Sequence, residues 1–221
     1  PEGVKTAELE QVVDEAFADS GDPQGANARG VAIVQDGKLL LVRDGKDIQQ
    51  NVALHGWSMT KTVAAMLAYK KFEEVGLDIE TPVVDAFPEG RAPDWVTQWR
   101  EDERAQITVA DLMYMRDGLD SQEGYEPWSA VPRMLWGHRD TAAYAAAFQP
   151  EAPPGQRWRY LSQTANLLAA VAVVAGSGAA LASIVALAGL SLVLPTFTTS
   201  TPGPTFSSTQ LTFAAIASLS L

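Results

Sequence analysis

The apolar positions of this chain change period along its length, and the changes mark out its elements. Near the start, Leu9, Val12, Val13 and Phe17 fall on one helical face and predict an opening helix capped by Thr6 and finished near Gly21. The run GVAIVQDGKLLLVRDG is then two apolar, β-rich segments around Asp36-Gly37, a pair that favours the backbone of a tight hairpin turn. A hairpin alone is marginal in water, so more sheet is expected. After a polar stretch through Asn51, apolar residues at Met59, Val63, Met66, Leu67 and Phe72 recur three to five apart. They predict the buried face of a helix reaching about Val75, with Ser58 on its first turn. Helix, hairpin, helix is the order of an α/β (α+β) domain whose antiparallel sheet is backed by helices.

Beyond Gly76 the pattern breaks into a stretch rich in Pro, Trp and charge, which predicts loops with short helices. ITVADLMYMRDGLDS is clearer: Thr108 and Asp111 are spaced as a capping box, and Gly118 stands where it would end the helix. SQEGYEPWSAVPRML reads as a loop entering another helix. Farther on, PPGQRWRYLSQTANLLAAV is a Pro-Pro-Gly turn leading through aromatic residues to a helix that starts at Asn166-Leu167-Leu168.

Composition narrows the chemistry. A chain of 221 residues suits one large domain or two small ones, and its net charge of -11 argues against nucleic acid, which calls for a basic stripe. Without cysteine there is no disulfide, no thiol catalysis and no Cys-ligated zinc. His55 and His138 have no partner at ligand spacing and read as structural or surface residues. Asp117, Asp120 and Glu123 form an acidic group, but their spacing matches no standard calcium loop, so a solvated loop face is expected and no metal. The opening PEGVKTAELEQ is too polar for a signal peptide, which was either absent or removed. That leaves the compartment open: bacterial cytoplasm, or periplasm or secretion after removal of a signal.

The charge is unevenly spread. All 16 basic and 27 acidic residues, both His, all six Trp and all five Met lie at or before Arg159. A membrane-spanning reading of Leu167–Leu194 is disfavoured, because Gly176-Ser177-Gly178 interrupts the run and no Lys or Arg flanks it. The favoured expectation is that Ala, Ser, Thr and Leu after about Ala170 stand in for residues of other identity, which peptide sequencing checks.

Ser58 and Lys61 form the chain's only Ser-x-x-Lys. Residues three apart on a helix are neighbours, so hydroxyl and amine can meet. A serine hydroxyl is a poor nucleophile until a base takes its proton, and a lysine does so only when its pKa falls below the reference of about 10.4. Burial among Ala64, Ala65 and Leu67, with the positive end of the helix dipole, would push in that direction. A helix N-cap serine followed by a snorkelling lysine is the competing explanation of the bare tetrad.

The flanking residues LHGWSMTKTVAAML resemble the nucleophile helix of the β-lactamase-related serine hydrolases, the group that holds class C β-lactamases, D-alanyl-D-alanine peptidases, family VIII esterases and 6-aminohexanoate-dimer hydrolases. The Tyr160-Leu161-Ser162 segment is similar to the second signature of that group, Tyr-x-Asn/Ser, and the stretch ending at Gly118-Leu119 is similar to its LLxMxSGL. The resemblance implies a β-lactamase/transpeptidase-like fold. Residues 1–81 would be the first part of the α/β domain with the nucleophile helix, 82–156 a mostly helical insertion along one edge of the active site, and 157–221 the second motif with return helices. It implies Ser58 as nucleophile, Lys61 as its base and Tyr160 as the phenol that relays the proton to the leaving group. Ser162 would donate to Lys61 or substrate, and Trp57, Glu123 and Tyr125 would border the cleft. No cofactor is implied. The expected substrate is a small ester or amide, and Ser162 in place of the commoner Asn points towards esterase or amidase branches. The alternatives are a penicillin-binding or sensor-type domain, or a β-lactamase or D-alanyl-D-alanine peptidase. Relatives continue for more than about a hundred residues past the point where this sequence stops and carry a Lys/His-x-Gly motif there, so the chain is expected to be an incomplete record of a larger protein. Oligomeric state is not legible.

Overall fold

The computed structural model of the chain describes residues 5–18, 28–45, 54–175 and 193–194. They belong to two units, Pro1–Gly56 with Val193–Leu221, and Trp57–Leu192. In the first, Asp36 and Gly37 both take positive φ, 50° and 70°. A turn of that hand matches the twist of the strands it joins, and β1 (Gly30–Gln35) pairs antiparallel with β2 (Lys38–Asp44), Gln35 opposite Lys38. The expected hairpin is present, with a bulge between Ile33 and Val34. Helix α1 (Thr6–Phe17) corrects the sequence reading at both ends. Its N-cap is Lys5 with no side-chain cap, and it stops at Phe17. An ion pair from Lys5 to Glu8, 2.8 Å, places an acid in the first turn, where the helix dipole favours it. Arg43 of β2 pairs with Asp14 of α1, and its guanidinium lies 6.0 Å from the Phe17 ring centroid. A second short pairing joins β3 (Leu54–His55) to β4 (Val193–Leu194), also antiparallel.

In the second unit a 3-10 turn, Trp57–Met59, enters helix α2 (Thr60–Val75). Gly76, at φ 69°, closes the helix: its N–H bonds to the Glu73 carbonyl, and that of Leu77 reaches back to Phe72 at 2.9 Å. The buried stripe is Thr60, Ala64, Ala68 and Phe72, four apart throughout. The expected face is therefore rotated, because Met66 and Leu67 are each 37% exposed. The cause lies in α7 (Ser162–Ala175), which packs along α2. Alanines at 64 and 68 allow two helix backbones to approach, so side-chain size selects the face that hydropathy alone misassigned.

Four short helices connect α2 to α7: α3 (Asp94–Trp99), α4 (Val109–Met113), α5 (Ala130–Gly137) and α6 (Thr141–Ala146). One core joins them, with Phe72, Trp99, Ile107, Leu112, Met134 and Leu167 all buried. Trp99 is fully enclosed, and its indole N–H donates to the Ala146 carbonyl at 2.9 Å, so a large apolar body is buried with its polar atom satisfied. Arg104 donates to the same carbonyl and to that of Phe148, stitching α6 to the turn before α4.

The Thr108/Asp111 capping box is complete. The far end of α4 differs from expectation. Met113 is its last residue, and Met115, not Gly118, takes the left-handed backbone that ends it, at φ 56°. The Met115 N–H bonds to Leu112 and that of Arg116 to Asp111, the pattern that closes α2, here with a side chain where glycine is usual. Such a conformation costs a non-glycine residue roughly 1–2 kcal/mol. Gly118, at φ 76°, serves a later turn, and its carbonyl accepts from both Glu151 and Ala152. Helix α7 starts at Ser162, a turn earlier than expected. The break at Gly176-Ser177-Gly178 lies outside the described residues. Among those described, no helix is long and apolar enough to cross a membrane.

Candidate active site

Ser58 lies in the 3-10 turn, two residues before α2 begins, and Lys61 is the second residue of the helix. Three residues apart across the 3-10 turn and the first turn of α2, the two side chains meet: Lys61 Nζ donates to Ser58 Oγ at 2.9 Å. Both are half-buried, and Leu67, expected to help cover the amine, is on the open side of α2. Trp57, just before the serine, holds φ at 42° with its side chain 77% exposed. A left-handed bulky residue is strained, and here the strain falls beside the candidate nucleophile.

Tyr160 arrives from far along the chain, and its ring centroid lies 5.0 Å from Lys61 Nζ. Its hydroxyl is buried and has no hydrogen-bond partner among the described residues. Ring face rather than hydroxyl thus meets the amine. The hydroxyl that faces Ser58 belongs to Tyr125, whose phenol also faces Ser162 and donates to Glu123 Oε1 at 2.6 Å. Burial pushes the Tyr125 phenol up from its ordinary value. The bond to Glu123 and the nearby carboxylate add to the rise, and the Ser162 and Ser58 hydroxyls oppose it.

Glu123 organises this side of the site. Oε1 accepts from the Ser162 hydroxyl as well, at 2.6 Å, and Oε2 accepts the Ser162 N–H, also at 2.6 Å. The proton of Ser162 therefore goes to Glu123 rather than to Lys61. Sequence reasoning placed Glu123 and Ser162 separately at the cleft and missed their bond, since nothing in either local stretch reveals a partner so far along the chain.

The acidic group is not the solvated face expected. Asp117 is buried, accepts the Leu119 N–H at 2.9 Å and takes a hydrogen bond from the Thr164 hydroxyl on the first turn of α7. Asp120 is exposed, and Glu123 is engaged as described. Among the described residues no three His, Asp or Glu side chains group closely enough to hold a metal ion. Burial raises the Asp117 carboxyl above its ordinary value. The hydrogen bonds from Thr164 and Leu119 oppose the rise, Asp111 adds to it, and Arg159 opposes it. Between the ordinary carboxylate range and that higher value, the folded state binds more protons than the unfolded one. Stability therefore falls as pH rises through that window. Asp117→Asn removes the titration while keeping an acceptor for Leu119. Its melting temperature is expected to vary less with pH from about pH 4 upward, and a melting profile parallel to that of the parent would contradict the assignment.

A family model for β-lactamase matches residues 13–185, and the chain belongs to the β-lactamase family. Its α/β fold is accordingly β-lactamase/transpeptidase-like. Among solved structures, it is similar to a candidate β-lactamase from Bacteroides dorei, with 20% identity over 76% of this chain and 44% of that one, TM-score 0.48. It is also similar to the octameric penicillin-binding protein homologue from Pyrococcus abyssi, with 22% identity over 78% and 39%, TM-score 0.49. A candidate 6-aminohexanoate-dimer hydrolase from Bacillus anthracis matches at 14% identity over 80% and 45%, TM-score 0.47. The chain spans less than half the length of each of these structures. No curated protein matches it significantly.

Proposed function

We propose that this chain carries the acylating centre of a serine hydrolase acting on a small ester or amide, a carboxylesterase or small-amide hydrolase rather than a β-lactamase. The observation that carries the reading is the 2.9 Å contact between Ser58 Oγ and Lys61 Nζ, with the Tyr160 ring beside the same amine. In the proposed reaction the free amine of Lys61 takes the proton of Ser58 as Oγ attacks the carbonyl carbon. Tyr160 passes that proton on from Lys61 to the departing alcohol or amine, and water then adds to the acyl carbon, its proton returning to Ser58 Oγ as the acid leaves. The N-terminus of α2 favours negative charge developing next to Ser58. Ser162 in place of Asn, with its proton given to Glu123, supports the lean towards esters and simple amides.

One observation favours a second reading, a penicillin-binding or sensor-type domain that acylates without efficient turnover: among the described residues the Tyr160 hydroxyl has no partner. A fluorophosphonate and a penicillin, offered separately with p-nitrophenyl esters as turnover substrates, separate the two. Stoichiometric labelling of Ser58 with ester turnover supports the hydrolase, and labelling without turnover supports the sensor. Absence of both would overturn the acylating centre itself.

A further inference from the structure

The segment that carries Tyr160 is fastened on both sides by a single residue. The Arg159 N–H donates to the Met115 carbonyl at 3.0 Å, and the Leu161 N–H donates to the Met115 sulfur at 3.4 Å. Tyr160 lies between these two bonds. Leu161 is 1% exposed, so its N–H is shut off from solvent and needs an acceptor inside the protein. The thioether supplies it. Met115 does this from a left-handed backbone that glycine would occupy without strain. Glycine would keep the helix end and the carbonyl and would forfeit the sulfur. Retaining a strained side chain makes sense where that side chain is used.

We propose that Met115 is a positioning residue for Tyr160, its carbonyl and thioether together fixing where the phenol stands relative to Ser58 and Lys61. The inference rests on the hydrolase reading above. Met115 acts through the backbone of residues 159 and 161, so its loss acts on the proton-relay step and leaves ground-state substrate binding alone. A displacement of about 1 Å in a catalytic group is enough to slow a reaction about 100-fold.

Steady-state kinetics on the full chain, with Met115→Gly, Met115→Leu, Met115→Gln and Tyr160→Phe, tests this. Met115→Gly relieves the backbone and removes the sulfur: the melting temperature is expected to hold or rise while kcat falls about 10- to 100-fold and KM stays within about twofold. Met115→Leu keeps the bulk without a good acceptor and is expected to lower kcat in the same way. Met115→Gln restores an acceptor at similar reach and is expected to recover most of the loss. Because both changes act through one phenol, Met115→Gly combined with Tyr160→Phe is expected to be no slower than Tyr160→Phe alone. Full additivity in that double variant, or wild-type kcat in both Met115→Gly and Met115→Leu while Tyr160→Phe is impaired, overturns the positioning role and leaves the hydrolase reading standing. A parallel loss of melting temperature, kcat and KM in all three Met115 variants overturns it equally, as the mark of a merely structural residue. Wild-type turnover by Tyr160→Phe itself instead removes the relay, and this inference with it.

Discussion

Alanine at Ser58 is expected to lower kcat/KM for a p-nitrophenyl ester by about 10,000-fold or more, with the melting temperature unchanged. The proposed nucleophile is lost outright, and no other described hydroxyl is hydrogen-bonded to Lys61 to replace it. The fold should not notice, because the side chain is half-buried and its bond to Lys61 lies at the mouth of α2 rather than in the core. Lys61→Met, which keeps the reach of the side chain and removes the proposed base, is expected to be comparably inactive. Groups that act as one unit are grossly non-additive. The double variant should accordingly be no slower than the worse single one. More than about a tenth of the activity surviving in Ser58→Ala, or losses that multiply in the double variant, would remove the pair from the chemistry.

The second large effect is on stability. Gly118 stands at φ 76°, and a Cβ built there would lie 2.2 Å from the Ala152 carbonyl oxygen and 3.1 Å from its carbon. Both are backbone atoms, and they are held in place because the Gly118 carbonyl accepts the Ala152 N–H at 3.1 Å and that of Glu151 at 2.8 Å. Neither rotamer change nor side-chain movement relieves such a clash. Gly118→Ala is therefore expected to destabilise by about 3–5 kcal/mol, a loss that lowers the melting temperature by about 10 °C in a chain of this size. Gly76 is the control. It has nearly the same φ, 69°, with nothing within 4 Å of the added atom, so Gly76→Ala should cost only about 1 kcal/mol. Thermal melts of the two variants separate steric clash from backbone strain. Equal shifts would mean that the segment at Ala152 yields more than its hydrogen bonds imply.

What local pattern reveals of this fold depends on the range of the interaction. Features written in a few consecutive residues were legible: the Asp36-Gly37 hairpin, the Thr108/Asp111 capping box, the end of α2 at Val75 and the one-turn meeting of Ser58 with Lys61. Each depends on backbone sterics or on neighbours within a helical turn, so local sequence suffices. The buried side of α2 was misassigned because Met66 and Leu67 are as apolar as core residues, and only the approach of α7 shows that the alanine stripe is the one covered. Family likeness brought Tyr160 to the same neighbourhood as Lys61, but it could not give the orientation of the ring.

Sequence alone thus determined which residue types are on hand for acyl transfer, that these 221 residues hold no cysteine, and that a hydroxyl and an amine come one turn apart. Tertiary structure alone decided that Glu123 accepts the hydrogen bonds of Ser162, that Asp117 is buried against Thr164, and that Met115 accepts from the residues on either side of Tyr160. The physical reason is common to all three. A carboxylate, a thioether or a backbone N–H carries no mark of its partner in its own stretch of chain. Which groups satisfy one another is settled only when packing removes water and leaves each buried donor a single acceptor within reach.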